Sequence, residues 1–240
     1  MIYKSKGIVL HSIKYSESSL IVKIYTEIYG LQSFIVKSIR SKQNKTKSSI
    51  FQPLTLIDFI AYHNKKNNLQ NLKEITECMQ FSDIPFNVKK SSIVIFIAEV
   101  LSKVIREEEQ NKALFNFIFN AVKHLDLCTG RVSEFHLFFL IELTKHIGFY
   151  PDKTYNDNNI FNIYDGHFQQ QKPEHPHFID KELSKNLYNL ICCTFENIET
   201  INFSSAIRKD LLNKILDYYK IHLNSFSEIK SLAVLEEVFK

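Results

Sequence analysis

Residues 19–39, SLIVKIYTEIYGLQSFIVKSI, determine how the N-terminal third of this chain folds. In the first part of this stretch the apolar side chains of Leu20, Val22 and Ile24 recur at every second position. This period of two is typical of a β-strand. The dipeptide Tyr29-Gly30 is a turn signal, and the β-rich residues that follow it predict another strand. The stretch therefore predicts two strands joined by a short turn.

Three more β-rich runs surround these two strands, at residues 7–13, 54–62 and 69–78. The basic residues 40–47, and then Pro53, separate the third strand of the series from the fourth. Five short strands with a break between the third and the fourth is the plan of the OB-fold, a small Greek-key barrel that often binds oligonucleotides. An SH3-like barrel is the structural alternative. We expect the barrel to occupy residues 1–80.

The period changes from two to 3.6 at about residue 83, which predicts helices for most of the remaining chain. Residues 135–147 are apolar on nearly all sides, as in a buried helix, and Gly148 is the predicted cap at its end. The polar, aperiodic residues 150–178 predict an irregular excursion. The predicted fold class is α+β, with an N-terminal five-stranded OB-fold β-barrel followed by a larger all-α domain at 81–240.

The charge of the chain is concentrated in the predicted barrel. Residues 1–80 carry twelve cations against five acids, a net charge of +7, whereas the remaining 160 residues carry a net charge of −3. The thirty residues between Glu27 and Asp58 contain no acid. Their cations are Lys37, Arg40, Lys42, Lys45 and Lys47. A one-sided field of this sign predicts a polyanionic partner, and an ordinary solvated lysine-rich surface is the alternative.

Several classes of protein are disfavoured by the composition. The longest apolar stretch, residues 93–105, is interrupted by Glu99 and Lys103 and is too short to span a bilayer, and no signal peptide is visible. We therefore expect a cytoplasmic protein. The four cysteines lack a CxxC spacing, which predicts mostly buried, reduced thiols. No phosphate-binding loop, nucleophile elbow, HExxH or DxD cluster is present, so we expect neither an enzyme nor a cofactor.

Three blocks of the sequence, in order along the chain, carry a resemblance. They are KGIVLHSIKYSESSLIVKIYTEIYGLQSFIVKSIRSKQNKTKSSIFQPL at residues 6–54, FHLFFLIELTKHIGFYPD at 135–152, and RKDLLNKILDYYKIHL at 208–223 with the closing SLAVLEEVF. In these blocks the chain resembles the RecO family of DNA repair and recombination mediators. The resemblance spans nearly the whole chain.

The resemblance implies partners and a mechanism. RecO-like proteins bind single- and double-stranded DNA, anneal complementary strands, and contact both RecR and the acidic, apolar-tipped C-terminal tail of the single-strand-binding protein SSB. RecA is thereby loaded on SSB-coated DNA, and the protein is nucleoid-associated while bound. The DNA contacts we expect are Lys14, Lys37, Arg40, Lys42, Lys45 and Lys47. For the SSB tail the candidates are Lys123 and Arg131, although Lys145, Arg208 and Lys209 meet the same description.

Two further residue groups leave alternatives open. The aromatic residues near the basic segment are either core residues, the commoner role in strands, or platforms for bases: Tyr25, Tyr29, Phe34 and Phe51. Some RecO-like proteins have a four-cysteine zinc site after the Gly-Phe-x-Pro segment, but residues 153–177 contain no cysteine. We therefore predict no metal there, and interpret His167, His175 and His177 as ordinary loop histidines.

A function from a different class remains open. In this alternative the protein is a non-catalytic interaction scaffold whose basic barrel docks an acidic protein partner, and DNA binding is incidental. High salt weakens both kinds of complex, so salt dependence alone does not separate them. Activity on SSB-coated DNA distinguishes the two functions.

Overall fold

The N-terminal part of the protein is a closed five-stranded barrel. The structure is a computed structural model and describes residues 1–17, 19–37, 48–64 and 67–240. The strands are β1 (Ile2–Lys14), β2 (Leu20–Thr26), β3 (Gly30–Val36), β4 (Leu56–Tyr62) and β5 (Leu69–Glu77). Their order around the barrel is β1-β2-β3-β5-β4, and only the β3–β5 pair is parallel. The predicted five-stranded OB-type barrel is confirmed.

The barrel closes because β1 pairs with two strands at once. Its first half pairs with β4 and its second half with β2, and a register shift between Val9 and His11 marks a bulge between them. Bulges of this kind bend a strand and increase its twist, as closure requires. Gly7 lies where both pairings overlap, and a Cβ there would come within 2.6 Å of Ile24 Cγ2. The glycine therefore allows β1 to pass close to the barrel core.

Six helices follow the barrel: α1 (Val88–Val104), α2 (Lys112–Leu127), α3 (Phe135–Ile147), α4 (Lys181–Ile191), α5 (Ser205–His222) and α6 (Leu232–Val238). By contacts the chain divides into two compact units. The first unit comprises Met1–Asp126 and Ile229–Ser231, so it contains the barrel, α1 and nearly all of α2. The second unit comprises Leu127–Glu228 and Leu232–Lys240. No helix in the described ranges is long and apolar enough to cross a membrane.

The second unit is organised around α3, which is buried along most of its length. Gly148 ends this helix with φ 91° and donates its N–H to the Thr144 carbonyl, as predicted. The excursion after it is more ordered than expected, since it contains a small sheet of β6 (Ile160–Asn162), β7 (His167–Gln169) and β8 (Phe178–Ile179). Strands of two or three residues are too short to show a sequence period.

Candidate nucleic-acid interface

One end of the barrel brings together the two predicted DNA contacts that the structure describes. The pairing register aligns Lys14 of β1 with Leu20 of β2, and Leu20 with Val36 of β3. Lys37 directly follows Val36, and both lysines are exposed. Because neighbouring strands lie about 4.8 Å apart, β1 and β3 are separated here by about 10 Å. We call this end of the barrel, marked by Lys14, Leu20 and Val36, the open end.

The other four predicted DNA contacts lie outside the described residues. These are Arg40, Lys42, Lys45 and Lys47. In the chain they belong to the connection between β3 and the 3₁₀ turn Ser48–Phe51 that precedes β4. Their role in DNA binding therefore remains a prediction from the sequence. The structure does establish that this connection starts from the open end.

The outer face of the barrel near the open end carries groups that sequence reasoning missed. Lys23 is exposed on β2 and is paired with His11 on one side and Ser33 on the other. The alternation along β2 already assigns Lys23 to the outer face, so this cation was available as a signal. Tyr15, in the β1–β2 turn beside Lys14, is 63% exposed. A further outward row is apolar and joins Ile13, Ile21 and Ile35.

The opposite end of the barrel is covered by protein. We call this end, where Thr26 of β2 pairs with Gly30 of β3, the covered end. The Leu31 N–H donates to the Glu107 carbonyl over 3.0 Å. Gly30 has φ 60°, and a Cβ on it would meet the Glu109 carbonyl oxygen at 2.3 Å. The backbone of residues 107–109 thus rests directly on the β2–β3 turn.

The strand aromatics are core residues. Tyr25, Phe34 and Phe51 are at most 2% exposed, so they are not base platforms. The Tyr25 ring packs on Phe115 of α2 with a centroid separation of 6.0 Å, and burial raises the pKa of its hydroxyl above the ordinary value. Tyr29 stacks on His63 with a centroid separation of 4.1 Å. Their interpretation as core is confirmed for the three buried rings.

The two candidates for the SSB tail fall in different units. Lys123 is an exposed residue of α2 in the first unit. Arg131 is exposed in the second unit and donates to the side-chain oxygen of Asn202. Neither residue lines the apolar cavity of the second unit described next. Their role in tail binding stays a prediction.

An apolar cavity of about 220 Å³ lies beside the N-terminus of α5 in the second unit. Its apolar wall is formed by Leu212, Leu235 and Phe239, and Lys209 and Lys240 are also among its lining residues. Lys209 is 3.7 Å from Glu236, and Lys240 is paired with Glu237. We call this space the α5 cavity. It combines an apolar interior with cations, the combination that an acidic peptide with an apolar tip requires.

Arg208 lines the α5 cavity and is held in place by three hydrogen bonds, one of them to a buried acid. Its Nη2 is 3.1 Å from Glu134 Oε1 and 3.0 Å from the Phe203 carbonyl, and its Nη1 donates to the Phe239 carbonyl. Glu134 is 1% exposed. Burial, and then the Arg208 charge, lower the pKa of His136 to about 3, so this imidazole is neutral at ordinary pH.

Residues 153–177, which contain no cysteine, have an aromatic core. The Phe161 ring contacts Phe168 at 5.0 Å and Tyr218 at 5.7 Å, and Tyr155 stacks on Tyr188 at 4.7 Å. The rings of His175 and His177 flank Tyr164. Packing between aromatic rings therefore organises this segment.

The four cysteines, all of them among the described residues, form no disulfide bonds and are less buried than expected. Cys78, Cys128 and Cys193 are partly exposed, and Cys192 is exposed. The prediction of mostly buried thiols is wrong, because Cys192 follows the last residue of α4 and no longer belongs to its buried face.

Comparison with known proteins identifies the family. The family model described as Recombination protein O N terminal matches residues 1–81, and the model described as Recombination protein O C terminal matches residues 85–233. The chain belongs to the RecO family. The family resemblance derived from the sequence is thereby confirmed, and this is a DNA repair family.

Full-length relatives agree with the RecO assignment. A DNA repair protein RecO from Flavobacterium psychrophilum is 41% identical over 238 residues, which is 98% of each chain. Those from Azobacteroides pseudotrichonymphae and Bacteroides fragilis are each 36% identical, over 240 and 241 residues, and cover 100% of both chains. The similarity therefore includes both the barrel and the helical part of this RecO-family chain.

Proposed function

We propose that this RecO-family protein is a recombination mediator that binds single- and double-stranded DNA through its barrel. It anneals complementary strands, contacts SSB and RecR, and so assists RecA loading on SSB-coated DNA. The observation that carries the proposal is the open end, where Lys14 and Lys37 are both exposed, at the ends of strands about 10 Å apart. From this end the chain enters the acid-free segment with four further cations.

DNA binding at the open end is electrostatic in this proposal. Each cation that neutralises a phosphate releases counterions, which gives strong salt dependence and little sequence preference. Residues 1–80 are the nucleic-acid-binding domain and residues 81–240 the helical domain. Every step is binding or strand pairing, so no catalytic residue or cofactor is assigned. The site of action is the cytoplasm, at the nucleoid while DNA is bound.

For the SSB tail, the geometry of the α5 cavity is better suited than the surroundings of Lys123 or Arg131. An apolar tip fits between Leu212 and Leu235, and Lys209 and Lys240 attract the acidic residues that precede it. The N-terminal end of α5 adds a positive dipole end to the same wall. Lys123 and Arg131 are alternative contacts for the same tail. RecR and RecA enter the proposal from the family alone.

Annealing of SSB-coated strands tests the mediator function. Two complementary oligonucleotides are coated with the cognate SSB, this protein is added without ATP or metal, and duplex formation is followed. We expect acceleration, because a mediator overcomes the SSB barrier. Acceleration of naked strands alone would leave a DNA-binding protein without an SSB contact.

A scaffold function is the second candidate, and one observation favours it. The outward row Ile13, Ile21 and Ile35 is apolar, and exposed apolar rows suit protein partners. In this candidate the barrel docks an acidic protein. Absence of any effect on naked and on coated strands would support it against the mediator.

A further inference from the structure

A groove of about 580 Å³ lies in the first unit between the barrel and the start of α1. One wall is the turn that precedes β4, including Gln52, Pro53 and Thr55. The other wall includes Phe81 and Phe86 from the segment between β5 and α1. We call it the aromatic groove. Its volume is in the range of clefts that hold small molecules or single nucleotide groups.

Phe86 is unusual because it is 83% exposed while the backbone that carries it is tightly fixed. The buried carboxylate of Asp126 accepts hydrogen bonds from the N–H groups of Ser82, Asp83 and Ile84, at 2.9 to 3.0 Å. Burial by itself would raise the pKa of Asp126, but these donors outweigh it and lower the pKa. The carboxylate therefore stays charged and holds the segment.

A second buried charge fixes the same segment from the other side. Lys90, 2% exposed, lies 2.7 Å from Asp83 Oδ2 and donates to the Asp126 carbonyl at 2.9 Å. Asn87 caps α1 and also donates to Asp83. Two buried ionic groups are costly to maintain. Here they hold in place a loop that presents an aromatic ring to solvent.

The opposite wall also has a constrained backbone. Leu54 is a non-glycine residue with φ 58°, and it is completely buried. Residues held in this region persist only where the surrounding structure enforces them, and they cluster at binding sites. The Leu54 N–H donates to the Val9 carbonyl over 2.7 Å, which ties this wall to β1.

The lining chemistry of the groove suits a base better than a phosphate. Gln52 and Gln80 offer amides that donate and accept hydrogen bonds, and Phe81 and Phe86 offer ring faces. Among the described residues that line the groove there is no Lys or Arg, and Glu77 is an acid. A phosphate inside would be repelled, whereas the amino group of a base can donate to a carboxylate.

A hydrogen bond joins β1, near Lys14, to the turn that forms one wall of the groove. The Ser12 hydroxyl donates to the Phe51 carbonyl at 3.2 Å, and Ser12 is two residues from Lys14 along β1. Two residues of strand span about 7 Å, about the separation of successive phosphates along an extended single strand. Gln52, the residue after Phe51, lines the groove, so a strand whose backbone lies at Lys14 passes near this wall.

We propose that the aromatic groove binds an unpaired nucleobase of single-stranded DNA, with Phe86 as the stacking platform. This rests on the proposed DNA-binding function of the barrel. It adds a base contact to the phosphate contacts, and so it makes the protein favour single strands whose bases are free to leave the stack. Bases held in a duplex are not available to it.

The test compares two single strands that share a backbone but differ in bases. Binding of the full chain to an oligothymidylate and to an abasic oligonucleotide of the same length is measured by fluorescence anisotropy. Since one stacked base is worth about 1–3 kcal/mol, we expect at least about fivefold tighter binding of the base-bearing strand. Phe86→Ala should reduce this preference below about twofold and leave the affinity for the abasic strand unchanged.

Two further variants control the measurement. Tyr164→Ala removes another exposed ring, 53% exposed and in the second unit, and should keep the full preference. Phe86→Trp restores a ring and should restore the preference. Because Phe86 is 83% exposed, its truncation leaves the core intact, which an unchanged thermal unfolding curve will verify.

The possible results distinguish the proposal of base binding in the groove from the proposed DNA-binding function of the protein. Wild-type protein that binds both strands equally would overturn the groove and leave DNA binding standing, whereas binding to neither strand would remove the proposed function itself. If Phe86→Ala keeps the base preference but slows annealing of SSB-coated strands, the occupant is a protein segment and the base-binding proposal is wrong.

Discussion

At one end of the barrel Tyr25 is covered by α2, whereas at the other end Lys14, Lys37 and Tyr15 face solvent. The same three strands, β1, β2 and β3, form both ends, with the same alternation of inward and outward side chains. What differs is the protein packed on the outside. An outward aromatic becomes core at the covered end, and exposed cations are left accessible at the open end.

The exposed cations of the barrel strands differ in whether a helix lies beside them. Lys6 also lies on β1 and is exposed, but α2 lies beside it, since its ammonium is 5.4 Å from the ring centroid of Phe119. Lys14 on β1 and Lys23 on β2 are also exposed. The net charge of the domain therefore indicates the class of partner, and the packing of α2 sets Lys6 apart from the cations that have no helix beside them in the contacts named here.

The largest expected change is in the free energy of unfolding, for a substitution at the covered end. Tyr25→Ala removes a ring buried against Phe115 and should lower the free energy of unfolding by about 3–5 kcal/mol. Tyr15→Ala, at the open end, should change it by less than about 0.5 kcal/mol. Urea denaturation of both variants measures the difference. Similar values for the two tyrosines would abolish the distinction between the ends.

Substitutions at two glycines should also differ in their cost in unfolding free energy, by a smaller amount. Both Gly30 and Gly148 have positive φ, but a Cβ on Gly30 meets backbone at 2.3 Å whereas Gly148 has nothing within 4 Å. Gly148→Ala should therefore cost about 1 kcal/mol of unfolding free energy, from backbone strain alone. Gly30→Ala should cost about 3 kcal/mol, because steric overlap adds to the strain.

Equal costs at the two glycines would contradict the contact between residues 107–109 and the β2–β3 turn. Thermal or chemical unfolding of both variants is the measurement. The Gly148 variant serves as the matched control, because it has the same change of side chain and a similar backbone conformation.

The smallest expected effect concerns DNA affinity at the open end. Lys14→Glu/Lys37→Glu should weaken binding of a single strand about tenfold at moderate salt. The slope of log affinity against log salt should fall by about 1.4, since two phosphate contacts are lost. The control is Lys181→Glu/Lys185→Glu, which makes the same charge change at exposed positions of α4.

A control pair that weakens binding as much as the open-end pair would mean that only total charge matters. In that case the position of Lys14 and Lys37 carries no special role. Anisotropy titrations at several salt concentrations distinguish these results.

The sequence predicted the barrel because its strands have a clear period and a turn signal. The alternation of Val22 and Ile24 with Lys23 is enough to assign β2 and its inner face. The neighbourhood of Lys14 and Lys37 could not be predicted, because it depends on the bulge between Val9 and His11 that sets the register. One residue more or less there would move every later pair along the strand.

The second unit shows the same limit of sequence reasoning. Gly148 was predictable, since a glycine after an apolar helix and before a proline is a local signal. The α5 cavity was not, because Leu212 and Phe239 meet there from distant parts of the chain. Phe86 was also missed: an exposed aromatic in a loop has no period, and its exposure depends on the packing of Asp126 beneath the loop.

The most direct test of the open end as the DNA interface is amide hydrogen exchange of the full chain with and without an oligothymidylate. We expect slower exchange on binding in peptides that cover the β1–β2 turn and the end of β3. Peptides from the covered end, around Thr26 and Gly30, should be unchanged. Protection at the covered end, or only in α3 to α6, with no change at the β1–β2 turn would contradict this assignment.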